Sequence, residues 1–298
     1  MEHILKIESH QLKNNLLSSY KCLNKLSCDF KQVHNSTVIV DFSNVTFISG
    51  NFFSIIGNIF STYSIENELS IKIANLDKNI ANVMCKNGFG KYFKNMKPKR
   101  DNFGTVIPYH TFHYEDIEPF KNYITAHVFC HHGMPIMSSA LQTKIISNTL
   151  EIFANVRDHS PGSTVHSCGQ YFPRNSLLRF TISDIGATIL ENVAQYHHDL
   201  EIPFSGDGLR WALVRGNSTR KVQEPGGLGF SLIMEFIKLN KGEFSIISDK
   251  EGYRYSKEGE EFFSLEYPFP GTIVTMSFNL SDTASYRLKS EAKPKLIF

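Results

Sequence analysis

Residues 37–42 form a β-branched run, residues 51–64 carry Phe52, Phe53, Ile55, Ile56, Ile59, Phe60 and Tyr63, and residues 69–74 return to a short apolar run. β-Branched side chains are stiff and suit a buried strand, whereas the middle stretch has the length and apolar content of a helix. The strand, helix, strand order predicts an α/β unit. Leu12, Leu16, Leu17, Tyr20 and Leu23 recur at helical spacing ahead of it. After it, Asp77 is placed to cap a helix holding Ile80, Val83 and Met84, and Gly88 to end that helix in the left-handed conformation.

The 298 residues predict about two domains, each able to bury a core, with 24 Phe and 12 Tyr as core material. With 41% hydrophobic and 20% charged residues, a disordered chain is excluded. Thirty-one basic against 29 acidic residues leave a formal charge of +2, too balanced for a field-driven nucleic-acid or membrane partner. The one dense basic run, Lys97-Pro98-Lys99-Arg100, reads as a solvated linker. Five cysteines without C-x-x-C spacing argue against a disulfide framework and a zinc knuckle. Cys130-His131-His132 lacks a spaced partner that would complete a metal set. No apolar run approaches the roughly 18 residues of a membrane span. Residues 1–9 are too charged for a signal peptide, so a cytoplasmic location is expected.

The second half opens with a strand pattern at residues 105–112 and a helix pattern at 115–131. Ser138 or Ser139 then caps a long helix that Pro161-Gly162 terminates near Ser160. Glu151, Asn155 and His159 fall on one face of it, a spacing that suits a metal-nucleotide site. Two further segments follow. Ser183-Asp184-Ile185-Gly186-Ala187-Thr188 comes after a strand at residues 177–183, which would bring the Asp184 carboxylate out at the strand's end. Pro225-Gly226-Gly227-Leu228-Gly229-Phe230-Ser231 opens a helix at residues 230–239, where unobstructed amides and the helix dipole favour phosphate without any Lys. Between them, Gly-punctuated polar sequence from Phe204 to Lys221 reads as a mobile insert over a ligand.

In this order the three segments resemble the GHKL superfamily of ATP-binding domains, shared by histidine kinases, gyrase and MutL-type ATPases and anti-sigma-factor serine kinases. Glu151, Asn155 and His159 match its N box. Asp184-x-Gly186-x-Thr188 matches its Asp-x-Gly-x-Gly box with Thr188 for the second Gly, and Gly227-Leu228-Gly229-Phe230-Ser231 its last glycine box with Pro225 for the first Gly. Gly271-Thr272 matches the closing element. The resemblance spans roughly residues 138–280 and implies ATP and Mg2+ as ligands. Asn155 would touch the hydrated metal, Glu151 would be the catalytic base, and Asp184 would accept the adenine amine while Gly186 lets the base approach. His159, Thr188, Gly226, Gly227, Leu228, Gly229, Ser231 and Thr272 would complete the nucleotide site, and Ser218, Thr219, Arg220 and Lys221 are lid candidates. His198-Asp199-Leu200-Glu201-Ile202-Pro203 matches a histidine-kinase phosphoacceptor pattern, but it lies in the lid region rather than before the N box and is set aside.

The N-terminal pattern, with Val38-Ile39-Val40-Asp41 and Asn87-Gly88-Phe89-Gly90, resembles a STAS domain over about residues 30–95. Its phosphoacceptor turn, Asp-Ser-Ser-Gly in that family, is broken here as Ser49-Gly50-Asn51-Phe52, so the module is read as a packing or docking unit. The expected architecture is α/β: a STAS-like domain in residues 1–95, a linker and extension in 96–137, a GHKL sandwich of a mixed sheet and a helical layer in 138–282, and a tail in 283–298. The resemblance implies an Mg-dependent ATPase or protein serine/threonine kinase acting with a separate small STAS-like protein, and a homodimer is compatible with it. A non-catalytic ATP-gated interaction switch is the alternative reading, and a scaffold that binds no nucleotide is a third.

Overall fold

A computed structural model describes residues 1–14, 17–219 and 229–291. In the N-terminal module, β1 (Glu2–Lys6), β3 (Thr37–Asp41) and β5 (Ser70–Ala74) form a parallel sheet in the order β1-β3-β5. A second, two-stranded parallel pair joins β2 (Gln11–Leu12) to β4 (Phe47–Ile48). Helices α1 (Leu17–Lys31), α2 (Phe53–Glu66) and α3 (Lys78–Asn87) complete the module. The Asp77 carboxylate accepts from the Asn79 and Ile80 amides at 2.7 and 3.4 Å, and Gly88 ends α3 at φ 85°, as the sequence predicts. Leu12 does not join α1: it pairs with Ile48 in β2, and the Lys13 amide turns the chain by donating to Ser19 Oγ at 2.9 Å. Residues near the N-terminus, noted only for their charge, supply the edge strand β1.

The second body is built on β6 (Val106–His113), β8 (Thr164–Phe172), β9 (Leu177–Ile185), β10 (Glu243–Ser256) and β11 (Gly259–Asn279). They lie in the order β10-β11-β9-β8-β6, and every neighbouring pair is antiparallel. The expected mixed sheet is therefore corrected. Tight connections between β8 and β9 and between β10 and β11 fix those pairs as antiparallel hairpins, and β9 and β11 meet in the same sense. Helices α4 (Ile117–Ile124), α5 (Ser139–His159) and α8 (Gly229–Leu239) cover one face, where Phe120, Ile145, Phe153, Ile233 and Phe236 pack on Phe180, Phe244, Val274 and Phe278. A one-turn π-helical segment, Thr125–Phe129, extends α4. Short helices α6 (Ile189–Asp199) and α7 (Gly208–Leu213) lie between β9 and α8 in the chain.

Residues 96–137, expected as a linker and extension, contribute an edge strand and a helix to the second body. β6 is an edge strand of the sheet, and Phe120 of α4 stacks on Phe153 of α5 with centroids 4.7 Å apart. The segment expected as a tail is tied down where it begins. Strand β12 (Ser285–Tyr286) pairs in parallel with β7 (Ile136–Met137), and Ser138, which caps α5, donates its hydroxyl to Glu291 at 2.7 Å. Among the described residues no helix is long and apolar enough to cross a membrane.

The other face of the five-stranded sheet is also covered. Cys168, Ile247, Phe269 and Ile273 of the sheet share a core with Tyr20, Phe52, Phe53 and Ile56 of the N-terminal module. Consequently β8 and β9 show runs of consecutive buried residues rather than alternation, the pattern of strands buried on both faces. Helix α2 is buried at every position from Phe53 to Phe60, because it contacts β5 of its own module as well as β8 and β9. Polar contacts stitch the seam: Asn51 Nδ2 donates to Thr181 Oγ1 at 2.8 Å, the Gly50 amide to Gln170 Oε1 at 2.6 Å and Asn24 Nδ2 to the Tyr267 carbonyl at 2.9 Å.

Gly57 marks a close approach, since a Cβ there would overlap the Tyr109 hydroxyl. Tyr109 has little room to retreat: it is buried, its hydroxyl is 2.6 Å from His166 Nδ1, and its ring meets Phe89 edge-on at 4.9 Å. Gly to Ala inside a helix ordinarily stabilises by about 1 kcal/mol. At this position the overlap reverses the sign, and Gly57→Ala is expected to destabilise by about 1–3 kcal/mol in urea-unfolding measurements. An unchanged or raised stability would contradict the seam described here.

Candidate functional site

The site grows from α5. Ser138 Oγ accepts the Leu141 amide at 3.2 Å to start the helix, and Ile145, Ile152, Phe153 and Val156 bind it to the sheet. That packing sets the rotation of the helix. Glu151, Asn155 and His159, one turn apart, then line a cleft floored by Ile182 of β9 and Val274 of β11. Asn155 is exposed, and its carboxamide makes no hydrogen bond among the described residues. His159 Nε2 lies 3.2 Å from Thr219 Oγ1, so the end of α5 meets the segment after α7. Ser218 and Thr219 both line the cleft.

Asp184 enters the same cleft from the sheet. It does not emerge beyond the strand, as its sequence position suggests, but sits within β9, paired with Val165 on one side and Thr272 on the other. Only 4% of its surface is exposed, and burial pushes its carboxyl up to about 7 despite the hydrogen bond from the Thr272 amide. Thr272 lines the cleft and its hydroxyl is 3.3 Å from Ser248 Oγ, which also accepts the Ile189 amide at 2.9 Å and donates to the Gly271 carbonyl at 2.8 Å. Gly271 has φ 152°, and a Cβ on it would overlap the Asp184 carbonyl. The bare backbone thus lets β11 close on β9 beside the carboxylate.

The remaining residues of the two loops divide by role. At Gly186 a Cβ would overlap Ser160 Oγ, which accepts the Ala187 amide at 2.7 Å; this glycine lets the end of α5 dock on the turn after β9. Thr188 is not among the cleft-lining residues. It is the N-cap of α6, accepting the Glu191 amide at 3.2 Å while Glu191 Oε2 accepts the Thr188 amide at 2.7 Å. The Thr-x-x-Glu spacing of a capping box was the signal for this role. Ser231 lies on α8, half-buried, and does not line the cleft, whereas its neighbour Phe230 does. Arg220, Lys221, Gly226, Gly227 and Leu228 lie outside the described residues, and Gly229 begins α8. Ser160, Asn192 of α6 and Trp211 of α7 line the cleft without having been singled out from sequence.

Among the described residues no three His, Cys, Asp or Glu side chains converge as a metal cage. Cys130 is exposed and the His131 and His132 rings stack on one another at 4.4 Å. A protein cage is not required for magnesium, which keeps its waters and takes one or two protein oxygens alongside phosphate. The cleft-facing Asn155 carboxamide fits that limited demand. Ser49 is far from this chemistry. It is 1% exposed, donates to Asn51 Oδ1 at 2.5 Å, and through Asn51 meets Thr181, whose side chain lies on the sheet face opposite Asp184. His198 sits exposed in the last turn of α6, beside Asp199 at 3.5 Å.

Comparison with protein-family models, with curated proteins and with solved structures finds no match to this chain.

Asp184 gives a pH signature. A carboxyl whose folded pKa is raised stabilises the fold below about 4, where it is protonated in both states, and that contribution is lost as pH rises through about 7. Asp184→Asn keeps the shape without the charge. Its melting temperature should match the parent's near pH 4 and exceed it at pH 8, by a difference worth about 2–4 kcal/mol. A pH-independent difference would contradict a carboxyl raised by burial.

Proposed function

We propose that this chain is a GHKL-type ATP-binding protein whose N-terminal STAS-like module is built onto the back of the nucleotide domain, and that it performs Mg-dependent phosphoryl transfer from ATP to water or a protein hydroxyl. The single observation that supports this most is convergence. Glu151, Asn155, His159, Asp184 and Thr272 come from three separate elements and line one cleft with Ser218 and Thr219. A chance match of sequence boxes does not require them to meet.

In this reading the buried Asp184 carboxylate accepts the exocyclic amine of adenine, a bond strengthened by its low-dielectric setting. The apolar floor of Ile182 and Val274 takes the base, and Asn155 supplies an oxygen to the metal that accompanies the phosphates. Glu151, one turn before Asn155, orients and deprotonates the incoming nucleophile. The α8 N-terminus, following the glycine-rich segment, offers amides to phosphate. When the ligand is bound, magnesium neutralises charge on the transferring phosphoryl group. The hydrogen bond between His159 and Thr219 favours a second use of the site, in which occupancy orders the segment after α7 for a protein partner to read, such as a separate STAS-like protein.

Glu151→Gln should leave ATP affinity close to the parent's while lowering phosphate release or phosphoryl transfer by about 10²–10⁴-fold. Asn155→Ala should weaken Mg-ATP binding instead. Calorimetry for affinity and a steady-state phosphate assay for turnover separate the two. Equal turnover in parent and Glu151→Gln would remove the catalytic role and leave the ATP-gated reading.

A further inference from the structure

Trp211 is the one tryptophan of the chain, and it lines the cleft together with Asp184, Ile189 and Val193. The insert that carries it resembles a mobile lid in sequence, yet this part of it is firmly held. Glu251 of the β10–β11 hairpin accepts both the Gly208 and Leu209 amides, at 3.1 and 2.7 Å, at the start of α7. Leu209 is fully buried in the helical-face core. Arg210 lies over the Phe262 ring at 3.9 Å and is tied to Asp207 at 2.8 Å. Beyond the helix, Asn217 Nδ2 donates to the Trp211 carbonyl at 2.9 Å.

The indole itself is braced from behind. The buried His197 ring meets it edge-on at 5.1 Å and 75°, and Tyr196 lies at 5.5 Å. His197 is fixed in turn, its Nδ1 lying 2.8 Å from the Val193 carbonyl. Buried tryptophan usually finds a partner for its N–H. Here the half-buried indole N–H makes no hydrogen bond among the described residues. A rigid aromatic surface with an unspent donor, held in a cleft that also contains a buried carboxylate, is suited to a flat heterocycle that carries both a π-face and polar edge atoms.

We infer that Trp211 is a binding residue that stacks on the heterocycle of the nucleotide, so that α7 is a fixed wall of the base pocket rather than part of a moving lid. This rests on the nucleotide reading of the cleft and deepens it. Stacking tolerates any purine face, so Trp211 contributes affinity for the base while Asp184 contributes the choice of adenine.

The test uses the full chain, calorimetry, and three probes: ATP with magnesium, adenosine, and inorganic triphosphate with magnesium. Excitation of the single tryptophan should report a saturable emission change with ATP and with adenosine, at the calorimetric Kd of each. Trp211→Ala should weaken ATP and adenosine by about 10-fold, the lower range for removing an aromatic from beneath a base. Triphosphate binding should stay at the parent's value, and Trp211→Phe should recover ATP affinity to within about 3-fold. Equal losses for ATP and triphosphate would reduce Trp211 to a structural support, and unchanged ATP affinity in Trp211→Ala would remove it from the base pocket; either overturns the inference and leaves the nucleotide reading intact. No ATP binding by the parent chain overturns both.

Discussion

The five-stranded antiparallel sheet is buried on both faces, and most of the molecule's other features follow from that. One face takes α4, α5 and α8 and carries the cleft; the other takes α1 and α2 and carries the seam to the N-terminal module. Alternation along β9 assigns neighbouring side chains to opposite duties. Ile182 and Asp184 face the cleft, whereas Thr181, between Phe180 and Ile182 in the chain, receives Asn51 across the seam. The module and the cleft are two sides of one sheet rather than two units on a string.

The same constraint explains the character of α2 and of the Ser49 turn. Packed between its own sheet and a second one, the helix has no face left for water from Phe53 to Phe60, and even Ser54 and Asn58 are fully buried there. The turn before it is polar because it meets polar strand residues, and those groups are spent on one another: Ser49 on Asn51, Asn51 on Thr181, Gly50 on Gln170. Ser49 itself is buried in this network, with 1% of its surface exposed.

Local signals read well from the sequence wherever a single residue does a single job. Asp77 and Ser138 cap their helices, Gly88 ends α3, and the four-residue spacing on α5 brings Glu151, Asn155 and His159 to one cleft. What escaped depended on partners distant in the chain. β1 and β12 are strands only because β3 and β7 lie beside them, and the antiparallel order of the large sheet is set by pairings of residues about ninety apart, such as Thr272 with Asp184. Leu12 obeys helical spacing but is captured by β4. Thr188, expected in the nucleotide site, instead forms a capping box with Glu191 and does not line the cleft. Trp211 and Ser160 carried no motif; their place in the cleft is a product of the helix and loop packing.

The central claim is that this cleft holds ATP with its base toward Asp184 and its phosphates between Asn155 and the start of α8. A crystal structure of the full chain with magnesium and a non-hydrolysable ATP analogue measures that directly. The account predicts the adenine amine within hydrogen-bonding distance of the Asp184 carboxylate, and a phosphate-bound magnesium within one ligand or one water of Asn155. An analogue bound outside the cleft, or inside it with the base remote from Asp184, would contradict the account.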